Sequence, residues 1–286
     1  MTLRLGLIGD NIAASSAPDL HSLCGAQKGV AVTYDRLVPR DLDLDFDAVF
    51  EKCIAGNYRG INVTYPYKER AAARVTIPDP LVAAMGAVNT VLFEGDGPVG
   101  HNTDYTGFVS AYRAIRGDRL PGAVSLIGAG GVGRAVAFGL VALGASEIRL
   151  VDQVGSKAEA VAQAVHSIAP RLNVTLWSEA EKAASQADGI INCTPLGMVG
   201  YPGTPVASDA LQGAGWIFEA IYTPRETQFL LDARNAGLEI IPGWELFFHQ
   251  GVHAWKHFHG SEIDEARLRK ELLQLAGSAD GNPHHS

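Results

Sequence analysis

Between Val124 and Asp152 the chain reads VSLIGAGGVGRAVAFGLVALGASEIRLVD, and its residue types are those of a phosphate cradle. An apolar run from Val124 to Ile127 leads into Gly128-Ala129-Gly130-Gly131-Val132-Gly133, and a second apolar run ends at Asp152, nineteen residues past Gly133. Strand, G-x-G-x-x-G turn, helix, strand and acid, in that order, make a dinucleotide-binding βαβ unit. Gly128 permits the tight turn, Gly130 lets backbone amides approach a pyrophosphate, and Gly133 lets the helix pack close to the strand. The helix start, with Gly131 and Val132 in its first turn, offers N–H groups and a partial positive charge to the phosphates. The acid selects among cofactors. A carboxylate at the end of the second strand accepts hydrogen bonds from ribose hydroxyls and repels a 2′-phosphate, by about 4 kcal/mol at ~4 Å and an effective dielectric near 20. The residues after the strand, Asp152-Gln153-Val154-Gly155-Ser156, supply no arginine, and Lys157 reads as a solvated helix-start residue. The expected cofactor is NAD.

A second constellation lies in the first half of the chain. Asn62-Val63-Thr64-Tyr65-Pro66-Tyr67-Lys68, Gly86-Ala87-Val88-Asn89-Thr90 and His101-Asn102-Thr103-Asp104 fall where strands end. Ligands of open α/β sheets bind beyond the carboxyl ends of strands. Taken singly, each has a plain structural reading: Asn62 and Asn89 as turn residues, Asp104 as a helix cap, Lys68 as a solvated helix residue.

The elements that must position these residues alternate. LRLGLIG (3–9), VTYDRLV (32–38) and GINVT (60–64) read as strands, with a helix over 19–28 and another opening at Pro66, where a missing N–H is harmless. AVNTVLFEGDGPVGHNTD reads as a hairpin around 94–97. The polar stretch RGDRLPG (116–122) is the expected boundary between a first unit, 1–114 completed by helices at 247–280, and a second, 115–246. Beyond Asp152 come a helix (156–168), strands at 188–194 and 216–222, a helix after Pro224, a strand at 238–243, and helical segments over most of 245–276. The fold class is α/β and two-lobed, a mostly parallel N-terminal α/β unit plus a Rossmann unit. A net charge of -8 without any basic run argues against a nucleic-acid partner. The apolar runs are too short or too broken to span a membrane, and the first residues carry no signal-peptide pattern. Cys24, Cys53 and Cys193 have no metal-ligand spacing and read as buried reduced thiols of a cytoplasmic protein; no metal is expected. The tail 277–286, with two histidines lacking partner ligands, reads as unstructured.

Together the motifs N-V-T-x-P-Y-K, G-A-V-N-T, N-T-D-x-x-G, G-A-G-G-x-G-R, N-x-T-P-x-G-M and H-Q-G, in this order from Gly6 to about Gly260, strongly resemble the shikimate/quinate dehydrogenase family. The resemblance implies a first lobe that binds a cyclic polyhydroxy acid, a second that binds the nicotinamide cofactor, and last helices that return to the first. It makes Lys68 and Asp104 the catalytic pair beside the carbinol or ketone that exchanges hydride. It gives Asn62, Thr64, Asn89 and Gln250 to the ring hydroxyls, and Ser15 and Tyr222 to the substrate carboxylate. Asn192, Cys193, Thr194, Pro195 and Gly243 match positions lining the cofactor. PLGMVGYPGTP with Asp152 is most similar to the NAD-dependent quinate/shikimate branch. The expected enzyme is a monomer or homodimer.

The chemistry suits these residue types. Hydride leaves carbon only as the hydroxyl proton is removed, and general acid–base help is typically worth about 10²–10⁴ in rate. Whether Lys68 or Asp104 carries the proton is left open by the sequence. One position departs from the family pattern: Ser15-Ser16-Ala17-Pro18 replaces the usual Ser-x-Ser-Pro or Ser-x-Thr-Pro. Loss of one hydrogen bond to a charged group corresponds to about 1.5–3 kcal/mol of binding. His21, just beyond, reads as a structural helix residue. Alternatives are a family member acting on an amino-substituted cyclic acid, or a sensor of the same fold. A sensor is expected to lack a catalytic residue or to carry a DNA-binding segment, and this chain keeps Lys68 and Asp104 and has no such segment.

Overall fold

A computed structural model describes residues 2–280. In chain order its elements begin β1 (Thr2–Ile8), α1 (Ala17–Lys28), β2 (Ala31–Leu37), α2 (Phe46–Ala55), β3 (Gly60–Val63), α3 (Lys68–Ala72), α4 (Pro80–Met85), β4 (Thr90–Glu94), β5 (Gly97–His101) and α5 (Thr103–Arg116). They continue β6 (Ala123–Ile127), α6 (Gly131–Leu143), β7 (Glu147–Val151), α7 (Gly155–Ile168), β8 (Asn173–Trp177), α8 (Ala180–Ala184), β9 (Gly189–Asn192), β10 (Trp216–Glu219) and α9 (Gln228–Asn235). Last come β11 (Glu239–Pro242), α10 (Gly243–His259) and α11 (Glu265–Asp280). Two compact units form: 1–78 with 88–101 and 251–286, and 79–87 with 102–250.

The first unit is built on a five-stranded sheet of order β2-β1-β3-β4-β5. β1 pairs in parallel with β2 and β3, while β3–β4 and β4–β5 are antiparallel. Both faces are covered, as the consecutive residues Leu92 and Phe93 show, since neighbours on a strand point to opposite sides. Leu92 packs with Leu5, Ala254 and Phe258, and Phe93 meets Phe50 of α2 edge-to-face at 5.4 Å. The helices start and stop by local chemistry. Asp45 caps α2 by accepting the Ala48 N–H at 2.8 Å, and Gly29, at φ 67°, closes α1 in a left-handed turn.

The second unit carries a six-stranded sheet of order β11-β10-β9-β6-β7-β8, with every pair parallel. Its central strands read AVSLI, GIIN and WIFE and are buried almost throughout, as a sheet covered on both faces requires. The chain leaves β6 toward β7 and β8 on one side, then restarts at β9 on the other. That reversal is the topological switch point at which open α/β sheets bind ligands beyond their carboxyl ends.

Several details depart from the sequence reading. α5 joins the second unit instead of ending the first: Phe108 lies edge-to-face on Phe218 at 5.0 Å and Tyr112 on Trp216 at 5.2 Å. The polar linker 116–122 therefore follows a helix already committed to the second core. The helix expected to open at Pro66 opens at Lys68. The segments α2, α4 and β8 had not been anticipated; β8 is a half-exposed edge strand without clean alternation. Cys24 and Cys53 are buried, their thiols pushed up to about 12 by burial, whereas Cys193 is only half-buried. α11 runs to Asp280, into the tail read as unstructured, and 281–286 lie outside the described residues. Among the described residues no helix is long and apolar enough to cross a membrane.

Candidate active site

In the first unit the polar motifs gather where β1, β3 and β4 meet. Thr64, half-buried, leaves β3 with its N–H on the Ile8 carbonyl (2.9 Å), and its own carbonyl takes the Tyr67 N–H (2.9 Å). The Tyr67 ring stacks on Phe46 at 5.2 Å. The turn so pinned delivers Lys68 as the first residue of α3, and its side chain is buried, not solvated. The Lys68 carbonyl accepts the Val88 N–H (3.0 Å), tying this turn to the G-A-V-N-T segment that delivers Asn89. Asn89 is also buried. Ser15, half-buried, sits in the loop after β1; its Oγ accepts the Ala17 N–H at 3.3 Å, and its carbonyl accepts from Arg36 at 2.8 Å.

Asn62 has a more crowded setting. Its Oδ1 accepts the Tyr34 hydroxyl at 2.8 Å, and its Nδ2 donates to Thr90 Oγ1 at 3.1 Å and to the Asn89 carbonyl at 3.3 Å. With both hydrogens and the carbonyl oxygen engaged by protein groups, Asn62 is the hub of a buried network rather than an exposed turn residue. His21 is fully buried, stacked on Tyr34 at 5.2 Å and met edge-on by Phe258 at 5.5 Å. Burial drops its pKa to about 3. The ring is therefore neutral at any physiological pH.

In the second unit the cap of α5 is Asn102, whose Oδ1 accepts the Tyr105 N–H at 3.0 Å while Nδ2 donates to the Ala87 carbonyl at 2.9 Å. Asp104, buried in the first turn, is thus relieved of capping. Gly107, one turn on and on the same face as Asp104, is where α5 meets α10: a Cβ there would lie 2.8 Å from the Gln250 nitrogen. Gln250 Nε2 donates to the Phe247 carbonyl at 3.0 Å, and the Phe247 ring stacks on Tyr222 at 5.1 Å. α10 thus meets α5 at Gly107, one turn from Asp104, through Gln250, and meets Tyr222 through Phe247.

The glycine turn has the close backbone approaches and the open side that a phosphate cradle would need. Gly128, at φ 99°, runs so close to Cys193 that a Cβ would come within 2.6 Å of its carbonyl, and a Cβ on Gly133 would lie 1.8 Å from the Gly128 oxygen. A Cβ on Gly130 would meet nothing within 4 Å, so open space lies beside the residue that precedes α6, with Gly131 and Val132 in its first turn. Asp152 closes β7 and accepts two backbone N–H groups, Ala129 on Oδ2 (2.7 Å) and Val154 on Oδ1 (2.8 Å). The acid thus shapes the glycine loop as well as its own turn. Gly243 is similarly tight, a Cβ falling 2.6 Å from the carbonyls of Ala220 and Ile221.

The organiser of the turn at 192–195, read from the sequence as lining a cofactor, is a residue the sequence reading missed. Glu219, fully buried at the end of β10, receives Asn192 Nδ2 (2.9 Å), the Ile221 N–H (3.1 Å) and the Thr227 hydroxyl (2.8 Å). Asn192 in turn accepts the Thr194 N–H (3.0 Å) and hydroxyl (2.6 Å), shaping the turn Cys193-Thr194-Pro195. Burial raises the Glu219 pKa to about 7 despite these donors. The signal was an acid ending the otherwise apolar strand WIFE, in a sheet buried on both faces.

Comparison with known proteins places this geometry. The family described as shikimate dehydrogenase substrate binding domain matches residues 7–91, and the one described as NADP oxidoreductase coenzyme F420-dependent matches 123–216. A quinate/shikimate dehydrogenase (NAD(+)) of Corynebacterium efficiens is 35% identical, with 96% of this chain and 99% of that one covered. A shikimate dehydrogenase (NADP(+)) of Streptomyces avermitilis is 36% identical, covering 96% of each. The quinate dehydrogenase of Corynebacterium glutamicum, solved in complex with NAD, superposes with a TM-score of 0.89 at 33% identity over 96% of this chain and 99% of that one. With a nicotinamide-dinucleotide fold and relatives matched nearly end to end, the chain belongs to the shikimate/quinate dehydrogenase family of oxidoreductases.

Proposed function

We propose that this chain is an NAD-dependent dehydrogenase that interconverts shikimate or quinate and the corresponding 3-dehydro ketone, acting in the cytoplasm as a monomer or homodimer. The observation that carries the cofactor choice is Asp152: its carboxylate stands at the end of β7, bonded to the glycine loop, and the residues after it bring no arginine to a 2′-phosphate. Cofactor, when bound in the cradle of Gly128, Gly130 and Gly133, supplies the hydride acceptor at its nicotinamide ring. The protein's part is the proton. Lys68 and Asp104, both buried, are the residues to which the family resemblance gives the proton: either can receive the hydroxyl proton as hydride departs and stabilise the alkoxide character that develops on oxygen. Thr64, Asn89 and Gln250 bond the ring hydroxyls, with Asn62 acting behind them, while Ser15 and Tyr222 hold the carboxylate.

Steady-state kinetics with quinate and shikimate, each with NAD and NADP, test the reading. NAD is expected to be used far more efficiently than NADP, and Lys68→Ala to cut kcat by about 10²–10⁴ with a smaller change in KM. Equal efficiency with NADP removes the role of Asp152, and near-normal turnover without the Lys68 amine removes the catalytic assignment.

A further inference from the structure

The hydroxyl missing at residue 17 has a neighbour able to stand in for it. Ala17 opens α1 just after the Ser15 loop, and the adjacent strand β2 reaches that loop through Arg36, whose Nη2 donates to the Ser15 carbonyl at 2.8 Å. Register puts Arg36 there. It stands beside Leu7, and Leu7 beside Asn62, each the last residue but one of its strand. Arg36 is thus two strands, roughly 10 Å, from Asn62 and shares its face of the sheet, at the carboxyl ends. Tyr34, two residues earlier on that face, bonds to Asn62 Oδ1 at 2.8 Å. Among the described residues the Ser15 carbonyl is the one hydrogen-bond partner of the exposed Arg36 side chain, and no carboxylate pairs with it. Arg4, Arg59, Arg70 and Arg74 of the same unit each face a carboxylate. One Nη2 hydrogen of Arg36 is spent on Ser15, which leaves a full pair of parallel N–H groups and a positive charge that no described carboxylate matches. Ser15 Oγ accepts the Ala17 N–H at 3.3 Å and keeps its own hydrogen to give.

We propose that Arg36 is a specificity residue of this site: its guanidinium receives the substrate carboxylate beside Ser15 and supplies the binding that the hydroxyl missing at residue 17 does not. A guanidinium fork takes both oxygens of a carboxylate and brings a charge, whereas a serine hydroxyl takes one oxygen and brings none. The site so built favours a cyclic acid in its ionised form over the uncharged ester of the same ring. The proposal rests on the reading that Ser15 holds the substrate carboxylate, and deepens it by naming the cation that completes the contact.

The test compares wild type and Arg36→Met with shikimate and with its methyl ester, at saturating NAD. Methionine keeps an unbranched apolar stem and removes the charge and every donor. The KM for shikimate is expected to rise about tenfold in the variant, that for the ester by less than about twofold, and that for NAD not at all. If the methionine variant does not fold, Arg36→Gln carries the same expectation. An unchanged KM for shikimate overturns the proposal. So does an equal rise for acid and ester, which would assign Arg36 to holding the Ser15 loop and nothing more. A second readout needs no turnover: with NADH present, shikimate should raise the Tm of wild type at concentrations that leave the variant unmoved. Equal shifts in the two proteins overturn the proposal, and a wild type that shikimate does not shift overturns it together with the proposed function. The expected difference in Tm without turnover in either protein supports the contact and counts against the proposed activity alone.

Discussion

Replacing Glu219 by glutamine should change how stability depends on pH, by an amount the structure sets. Burial lifts this carboxyl from an ordinary 4.5 to about 7 in the folded protein. Between these values the folded protein keeps a proton that the unfolded chain releases. The contribution to stability is then fully present below about pH 4.5 and is lost as pH rises through about 7. A difference of about 2.5 pKa units at ~1.4 kcal/mol each makes the loss about 3 kcal/mol. Glutamine keeps one acceptor oxygen for Asn192 and Ile221, and its amino group faces Thr227, whose hydroxyl can turn to accept. Urea unfolding of both proteins at about pH 5 and about pH 8.5 isolates the term, because every other titrating group cancels in the comparison. Wild type should lose about 3 kcal/mol more than Glu219→Gln over that interval, which corresponds to roughly 6–12 °C in Tm for a unit of this size. Parallel pH profiles would refute the reasoning and show that Glu219 is ionised in the folded state at little cost.

Asp152→Ala removes the acceptor of two backbone N–H groups along with the carboxylate offered to the ribose. Its kcat/KM for NAD is expected to fall about 10–100-fold with no comparable gain for NADP, and its Tm to drop, because the Ala129 N–H loses its partner; a large gain in NADP use at unchanged Tm contradicts this. Ala17→Ser restores the hydroxyl missing at the first residue of α1, next to Ser15 Oγ, which already receives the N–H of residue 17. The KM for both acids should fall about tenfold or more while that for NAD stays fixed; unchanged acid constants would mean the substitution is neutral at this site.

The parts of the fold legible in the sequence were those governed by local rules. The glycine spacing 128–133 required a strand before and a helix after, and the hairpin at 94–97 followed from Gly95 and Gly97 between alternating runs. What escaped depended on distant partners. α5 carries no mark assigning it to the second unit; that is decided by Phe218 and Trp216, more than a hundred residues away. In the site, the motifs named Lys68, Asn89 and Asp104, but not the groups behind them. Tyr34 bonds to Asn62 across twenty-eight positions and Glu219 to Asn192 across twenty-seven, and a single polar residue amid apolar ones shows its partner only after folding.

The pairing of Asn62 with Thr90 across β3 and β4 also says something about how the sheet finds its alignment. These strands are short, and apolar residues flank the polar ones, so burial alone is a weak guide to which residues should stand opposite each other. A slip of one residue turns every side chain to the other face. Here it would carry the Asn62 amide away from Tyr34, Thr90 and the Asn89 carbonyl into an apolar layer, each stranded group costing about 1–3 kcal/mol. The misaligned pair of strands is penalised several times over, and the aligned one is recognised by its hydrogen bonds before any ligand arrives. Residues of the candidate site thus double as the alignment key of the sheet, and a substitution among them should be judged for folding yield as well as for turnover.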